Sequence, residues 1–477
     1  MTMIATPRRC ALAALVVFAL FALLHPIDHD ESQYVAAAVL GAHGLLPYRD
    51  YAYLQTPLQP LLFAPVAWGA GVLAWPALRL VNAVLGVWIL ACVWRAARDA
   101  GATPRAALIA AGLLAGCDIL LFSIATARND ALPAALLATA LVPIVRVGRE
   151  RASTGAALLV GMLLAGAAAA KISYALPAVA YGGHALLDRR HRPLIVLLGA
   201  VPMLCLGAWS WALAPDAFVF GTLRFPALAP AEFYGDRTWK LSLFAKAIDV
   251  VKFLALGPAV FALVMLGKRL ARLGAVEWLA LAGLVSALLP MPTWRQYLLP
   301  ALPPLFVLLA LEWDRRPPGP RGRVVAVVTL CAGLAPTLLT TVQGFGATGM
   351  PAAIREGAAI RAGLDAAAVS GAVATLSPQF LAATGRVSDP RFATGPFYFR
   401  SHAIVPATEE ARLHLVSGDR LDTLDRAPPA AVLVGGEGAW TSGDPALDAV
   451  LEGWARDRGY RRVPLASARF RLFVGPR

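Results

Sequence analysis

Charged side chains are scarce in this chain. Aspartate, glutamate, lysine and arginine make up 15% of its 477 residues, against about a quarter in an ordinary soluble domain. Apolar residues fill the deficit at 58%, with a mean hydropathy of +0.64, and they recur in runs of membrane-spanning length. That excludes an ordinary soluble protein and implies a polytopic membrane protein. A small-residue cleavage site is missing after the first run, 10–24, where a charged DHDE segment stands instead, so the run reads as a retained first helix rather than a signal peptide. Cysteine is sparse: Cys10, Cys92, Cys117, Cys205 and Cys331 all fall in apolar spans without metal-type spacing, which implies packing residues and no disulfide framework. The GGEG of 435–438 lacks a Gly-Lys-Ser/Thr ending, so it is no phosphate loop. His25, His29 and His43 show no HExxH-like spacing.

Acids are scarcer than bases, 29 against 43, for a net charge of +14 and a pI near 10.1. In a soluble chain that balance would point to nucleic acid. Here the basic residues cluster between hydrophobic runs: Arg8/Arg9, Arg95/Arg98/Arg105, Arg146/Arg149/Arg151, Arg189/Arg190/Arg192, Lys268/Arg269/Arg272 and Arg315/Arg316/Arg321/Arg323. Every second loop is basic, which is the positive-inside pattern and leaves no role for nucleic acid. It places the N-terminus in the cytoplasm and predicts spans near 9–26, 76–97, 105–125, 130–147, 154–170, 173–188, 193–214, 248–267, 275–290, 296–313 and 324–342. Residues 154–188 must turn, since one helix of that length would reach roughly 50 Å across a core of about 30 Å. Lys171 and Pro177 mark the turn, near the outer surface.

Three outer segments follow. The first loop, 27–75, carries two stretches, 31–43 and 57–69, that read as short surface helices. The loop 215–247 holds Arg224, Glu232, Asp236, Arg237 and Lys240. From 344 the long apolar runs stop, and short β-type runs (AVATLSP, AVLVGG, FRLFVGP) alternate with helical stretches at 351–364 and 445–458. The expectation is an all-α polytopic membrane protein of about eleven transmembrane helices, residues 1–343, with a small extracytoplasmic α/β domain, residues 344–477.

The residues suited to chemistry lie on the predicted outer face. Asp28, Asp30 and Glu31 crowd the end of the first span. Asp28-x-x-Glu31 and Asp30-x-x-Gln33 both fit a capping box, but a cap uses one carboxylate, and acids at a lipid boundary suit a base that takes a proton from a hydroxyl. In TARND, Arg128 either snorkels or serves a site, and Asp130 either caps the following helix or does both. Lys171 and Arg295, with Tyr297 beside the latter, stand where the positive-inside tendency would not put cations; with Arg128 they suit a phosphate clamp. Pro300, Pro303 and Pro304 distort their span and favour a cavity at its outer end. PYRDY, 47–51, reads as a loop pinned by Arg49 and Asp50.

In this order, DHDESQY, LPYRDYAYLQTPLQPLLFAPVAWGAG, ARND, AAAKISYALP and RQYLLPALPPLFVLLA resemble the GT-C membrane glycosyltransferases over roughly residues 9–345. The resemblance is to the branch of protein O-mannosyltransferases and the lipid A aminoarabinose transferase. It implies transfer of a sugar from a polyprenyl-phosphate donor to an acceptor hydroxyl of a glycan, glycolipid or protein, at the outer leaflet of the cytoplasmic membrane. Carried over by position, Asp30 is the candidate base, Glu31 and Asp28 support it or orient the acceptor, Arg128, Lys171 and Arg295 neutralise the leaving phosphate with Tyr297 beside them, and Asp130 binds sugar or supports the base. Two acids plus Asp130 leave a divalent cation open. The competing class is a transporter or lipid flippase, although no paired halves match; a scaffold protein is the third.

Overall fold

The computed structural model describes residues 7–147, 150–267, 273–345, 347–401 and 404–476; Arg149, Lys268, Arg269 and Arg272 of the basic clusters lie outside the described residues. α1 (Pro7–Leu24) is followed by two shorter helices, α2 (Ser32–Ala42) and α3 (Leu58–Ala70), and by the long α4 (Ala74–Asp99). α5 (Pro104–Ala115) and α6 (Asp118–Ala125) form one element bent by 63°. α7 (Ala131–Arg146), α8 (Thr154–Ala170), α9 (Ala175–Leu187) and α10 (Pro193–Leu213) come next, then the short α11 (Pro215–Val219) and α12 (Phe225–Phe233). α13 (Leu243–Ala255) and α14 (Ala259–Leu266) are bent by 97°, and α15 (Ala275–Ala287), α16 (Leu302–Arg315) and α17 (Pro320–Gly344) follow. Among the described residues five elements are long and apolar enough to cross a membrane, or seven with the bent pairs, so this is an integral membrane protein. A count of about eleven adds α7, α8, α9 and α15, of 16, 17, 13 and 13 residues.

Local chemistry sets the element ends. Ser153 caps α8 by accepting the N–H of Ala156 at 3.2 Å. At the other end Lys171 turns extended (φ −155°, ψ 123°) and a 3-10 turn over Ile172–Tyr174 leads into α9, which is the expected break. α8 and α10 cross at glycines: a Cβ on Gly161 would lie 1.9 Å from Val196 O, and one on Gly199 2.1 Å from Leu158 O. Small residues let two helix backbones touch. Gly199→Val is therefore expected to wedge the pair apart and cost about 1–3 kcal/mol. Thermal unfolding in detergent checks this, and an unchanged midpoint would show that the helices part freely.

PYRDY is indeed a pinned loop: Arg49 Nη2 donates to Asp50 Oδ2 at 2.7 Å, and Asp50 accepts the N–H of Leu46 at 2.7 Å. Cys92 and Cys117 are buried, whereas Cys205 and Cys331 are exposed on α10 and α17, so those two do not pack inside.

Beyond α18 (Met350–Ala366) the chain builds a four-stranded sheet from β1 (Val373–Ala374), β2 (Ala431–Val434), β3 (Arg461–Val463) and β4 (Arg471–Val474), in the order β1-β2-β4-β3. β1 pairs with β2 in parallel and the other pairs are antiparallel. α19 (Pro396–Phe399), α20 (Ala407–Arg412) and α21 (Pro445–Asp457) accompany it. One side of this sheet shares its core with the first loop: Leu433, Phe470 and Phe380 cluster with Val35, Leu58, Trp75 and Leu78. The Trp75 and Phe380 rings meet edge to face at 5.0 Å.

Candidate active site

The acidic turn forms because α1 stops at Leu24 and Pro26 cannot continue it. Asp28 then takes an N-cap conformation (φ −107°, ψ 126°), and its Oδ1 accepts the N–H of Asp30 at 2.9 Å. Glu31 Oε1 receives the N–H of Asp28 at 3.4 Å, closing the Asp28/Glu31 capping box.

Glu31 itself is fully buried. Its Oε2 accepts Trp75 Nε1, Arg79 Nε and the N–H of Ala127, at 2.8, 2.8 and 2.9 Å, and its Oε1 is held by Arg79 Nη2. Arg79, also buried, donates to the carbonyls of Ala22 and His25 at 2.9 Å each. Glu31, expected to support Asp30 or orient the acceptor, spends its oxygens on fixing α1, α4 and the 126–130 turn to one another.

That turn delivers Arg128. Its Nη1 lies 2.5 Å from Asp30 Oδ2 and 3.5 Å from Asp28 Oδ2, and its Nε lies 3.3 Å from Asp130 Oδ2. Asp130 occupies the N-cap position of α7 but makes no side-chain cap bond; Lys171 Nζ binds its Oδ1 instead. Lys171 does not snorkel to a surface: it is 5% exposed and lies 5.3 Å over the Tyr297 ring. Arg128, Asp28, Asp30, Asp130, Lys171 and Tyr297 therefore form one contiguous group. Asp30 keeps 24% of its side chain exposed, against 1% for Asp130. Several buried polar atoms in these segments lack hydrogen-bond partners among the described residues: Arg128 Nε, Asn129 Oδ1, Asp130 Oδ2, Ser173 Oγ and Tyr174 Oη.

Arg295 joins the group from the side. Its Nη1 donates to Asp118 Oδ2 at 3.0 Å, and its guanidinium stacks on Phe122 at 3.7 Å. Arg128 lies 5.4 Å from the same ring, so the two cations share one aromatic neighbour. Neither Asp118 nor Arg79 was singled out in the sequence, although each is a lone charge inside an apolar stretch, which is the signal that marks an occupied intramembrane position.

His29 brings in the C-terminal segment. Its Nε2 lies 3.1 Å from Asp30 Oδ1 and 3.4 Å from Arg400 Nη1, and its Nδ1 lies 3.4 Å from Glu437 Oε2. Glu437 is buried and accepts Ser377 Oγ at 3.2 Å. No local pattern announces Arg400 or Glu437. Burial alone would discharge His29, but the flanking carboxylates of Asp30 and Glu437 outweigh it and push its pKa up to about 10. Burial likewise resists ionisation of Asp30, yet Arg128 and His29 hold its carboxyl well below the usual carboxylate range. Asp28 is pushed up, by burial and then by the charge of Asp30. The two neighbouring acids are thus separated in acidity.

A divalent cation on Asp28, Asp30 and Asp130 does not fit this arrangement. Asp130 is taken by Lys171, and Arg128 already bridges the other two carboxylates. Asp28, His29 and Asp30 do offer one ligand atom each within 4.8 Å, but His29, held cationic by Asp30 and Glu437, has no lone pair to give a metal. The expected cavity beside the prolines is not one of two surface cavities of 500 and 390 Å³, whose linings exclude every residue of this group. The backbone there instead tightens into a 3-10 run over Arg295–Ala301 ahead of α16.

No protein-family model matches the chain, and no curated protein matches it. Solved structures do. ArnT from Cupriavidus metallidurans bound to undecaprenyl phosphate superposes with a TM-score of 0.61 at 17% identity, over 98% of this chain and 99% of that one. The arabinofuranosyltransferase AftD from Mycobacteria gives 0.57 at 18% identity, over 98% of this chain and 40% of that one. The Archaeoglobus fulgidus oligosaccharyltransferase, tethered with an acceptor peptide, gives 0.50 at 12% identity, over 96% of this chain and 74% of that one. The chain has the fold of these proteins, and its likeness to ArnT extends over nearly its whole length.

Proposed function

We propose that the chain transfers a sugar from a polyprenyl-phosphate carrier to an acceptor hydroxyl of an envelope glycan, glycolipid or protein. The reaction takes place at the outer leaflet of the cytoplasmic membrane, with the N-terminus inside and residues 344–477 outside. The observation that carries this reading is the Arg128 guanidinium, held between the partly exposed Asp30 and the buried Asp130–Lys171 pair, in a fold that ArnT shares with undecaprenyl phosphate bound.

Asp30 takes the acceptor proton as the acceptor oxygen bonds to the anomeric carbon. The bond from that carbon to the carrier phosphate breaks, and the negative charge on the leaving phosphate meets Arg128, Lys171 and Arg295. An Asp30 clasped by Arg128 is a weak base. A donor phosphate that draws Arg128 onto itself releases Asp30 when its basicity is needed. Asp130 orients Lys171, and the unpartnered oxygens of Asn129 and Tyr174 accept sugar hydroxyls. Asp28 orients the turn that carries Asp30, Tyr297 supports the Lys171 ammonium, and Glu31 acts at one remove by fixing the turn that bears Arg128.

Lipid-linked sugars and envelope glycans measured by mass spectrometry, in cells with and without the protein, test the reading. One carrier-linked sugar should accumulate while one glycan loses that sugar. Matching profiles would sink it and favour a transporter or flippase.

The pH profile gives a second test. His29 stays cationic below about 10, so its pairing with Asp30 is present through neutral pH and is lost as pH rises through that value. Glu437→Gln removes one of its two carboxylates and brings its pKa back toward the ordinary value of about 6.5. Deprotonating His29 leaves Asp30 with one cation fewer and so more basic, and the alkaline limb of kcat/KM that follows this change is expected to move toward neutral pH in this variant, while the acid limb, set by Asp30, stays. An unmoved alkaline limb would disconnect Glu437 from the site.

A further inference from the structure

We infer that His184, Asp188 and His191 form a binding site for one divalent transition-metal ion of the zinc type, at the turn between α9 and α10. One ligand atom from each lies within 4.8 Å of the others. The turn itself gathers them. Asp188 Oδ1 accepts the N–H of Arg190 at 3.1 Å, and Arg192, in the left-handed region at φ 55°, ends the 3-10 turn Arg189–His191 and folds it back on the end of α9. The two imidazole rings meet at 5.0 Å and 80°.

The spacing argues for coordination over simple pairing. His191 Nε2 faces Asp188 Oδ2 at 3.9 Å, too far for a hydrogen bond. A tetrahedral zinc with ordinary bond lengths holds its ligand atoms roughly 3.3 Å apart, so small side-chain rotations separate this arrangement from a coordinated one. His191 is buried, and its Nδ1 is bonded to the Tyr181 hydroxyl at 2.9 Å. With Nδ1 donating, the lone pair of Nε2 is directed at the metal, the usual outer support of a ligating histidine. Arg190 donates to both carboxylate oxygens of Asp188, Nε to Oδ1 at 3.0 Å and Nη2 to Oδ2 at 2.8 Å, so the ion takes the second lone pair of Oδ2. Two imidazoles and one carboxylate select zinc or cobalt over calcium or magnesium. Trp278 of α15 lies 6.3 Å from the His184 ring, so the ion clasps the turn where α15 packs on α9. Its role is structural and independent of the transfer reaction.

The experiment takes full-length protein in detergent, strips it with a chelator and adds zinc chloride alone, then cobalt chloride alone. Wild type should take up one zinc per chain and develop the visible absorption of four-coordinate cobalt. His184→Gln and His191→Gln should each weaken zinc binding at least tenfold, and Asp30→Asn should retain it, which separates this cluster from the one at Asp28, His29 and Asp30. Absence of stoichiometric zinc in wild type, uptake unchanged in both histidine variants, or uptake lost in Asp30→Asn overturns the inference. Where a histidine variant fails to fold, the cobalt spectrum of wild type decides, and its absence counts against the site.

Discussion

Asp30→Asn is expected to lower turnover by about 10²- to 10⁴-fold, the range for losing a general base, while the carrier still binds. Asparagine keeps the shape and the oxygen that faces Arg128, but it cannot hold the acceptor's proton. It also removes the charge that clasps Arg128, so the guanidinium is freer to meet phosphate, and affinity for the carrier lipid should hold or rise. Initial rates with a carrier-linked sugar, read beside binding of the carrier alone, separate the two effects. Asp28→Asn should cost less than tenfold, because Asp28 serves as the cap that accepts the N–H of Asp30, a role the asparagine oxygen keeps. If Asp28→Asn abolishes turnover and Asp30→Asn spares it, the base has been misassigned between them.

Arg79→Leu should instead destabilise the whole protein, by about 3–5 kcal/mol, because it leaves the Glu31 carboxylate buried without its countercharge. The same change strips donors from the carbonyls of Ala22 and His25 at the end of α1. A fall in the unfolding midpoint, with little folded protein recovered from membranes, is the expected result, and Asp30→Asn prepared in parallel should unfold near the wild-type midpoint. Arg79→Leu combined with Glu31→Leu should recover part of the loss, since burying neither charge is cheaper than burying one. Equal midpoints for wild type and Arg79→Leu would mean that water reaches Glu31.

The membrane character was legible in the sequence, because apolar run length is a local quantity: among the described residues five elements, or seven with the bent pairs, are long and apolar enough to cross a membrane. The turn at Lys171 was legible for the same reason: a bilayer cannot hold a helix over 154–188. The stretches 31–43 and 57–69 are helical as expected, as α2 and α3, and the three β-type runs supply β1, β2 and β4. β3 was missed because Arg461–Val463 has no apolar alternation, its register being set by Phe473 opposite Arg462. Side-chain roles were harder to read. Glu31 looked like its neighbours Asp28 and Asp30, and only its partner Arg79, 48 residues away, distinguishes it. Asp130 sat where a cap belongs, and the competing cation that draws it off comes from the end of α8. Arg400 and Glu437 reach His29 across nearly the full chain, a pairing that no window of sequence contains.

The shared core of the first loop and the sheet bears on how this protein can be cut. A chain ending after α17 would leave Trp75, Leu58 and Val35 without Phe380, Phe470 and Leu433 over them, turning an interior into a water-facing apolar floor directly beside the acids. The excised sheet would carry the matching bare face. Neither fragment is a faithful miniature of the whole, and an assay of a membrane-only truncation would report the damage to that floor as loss of chemistry.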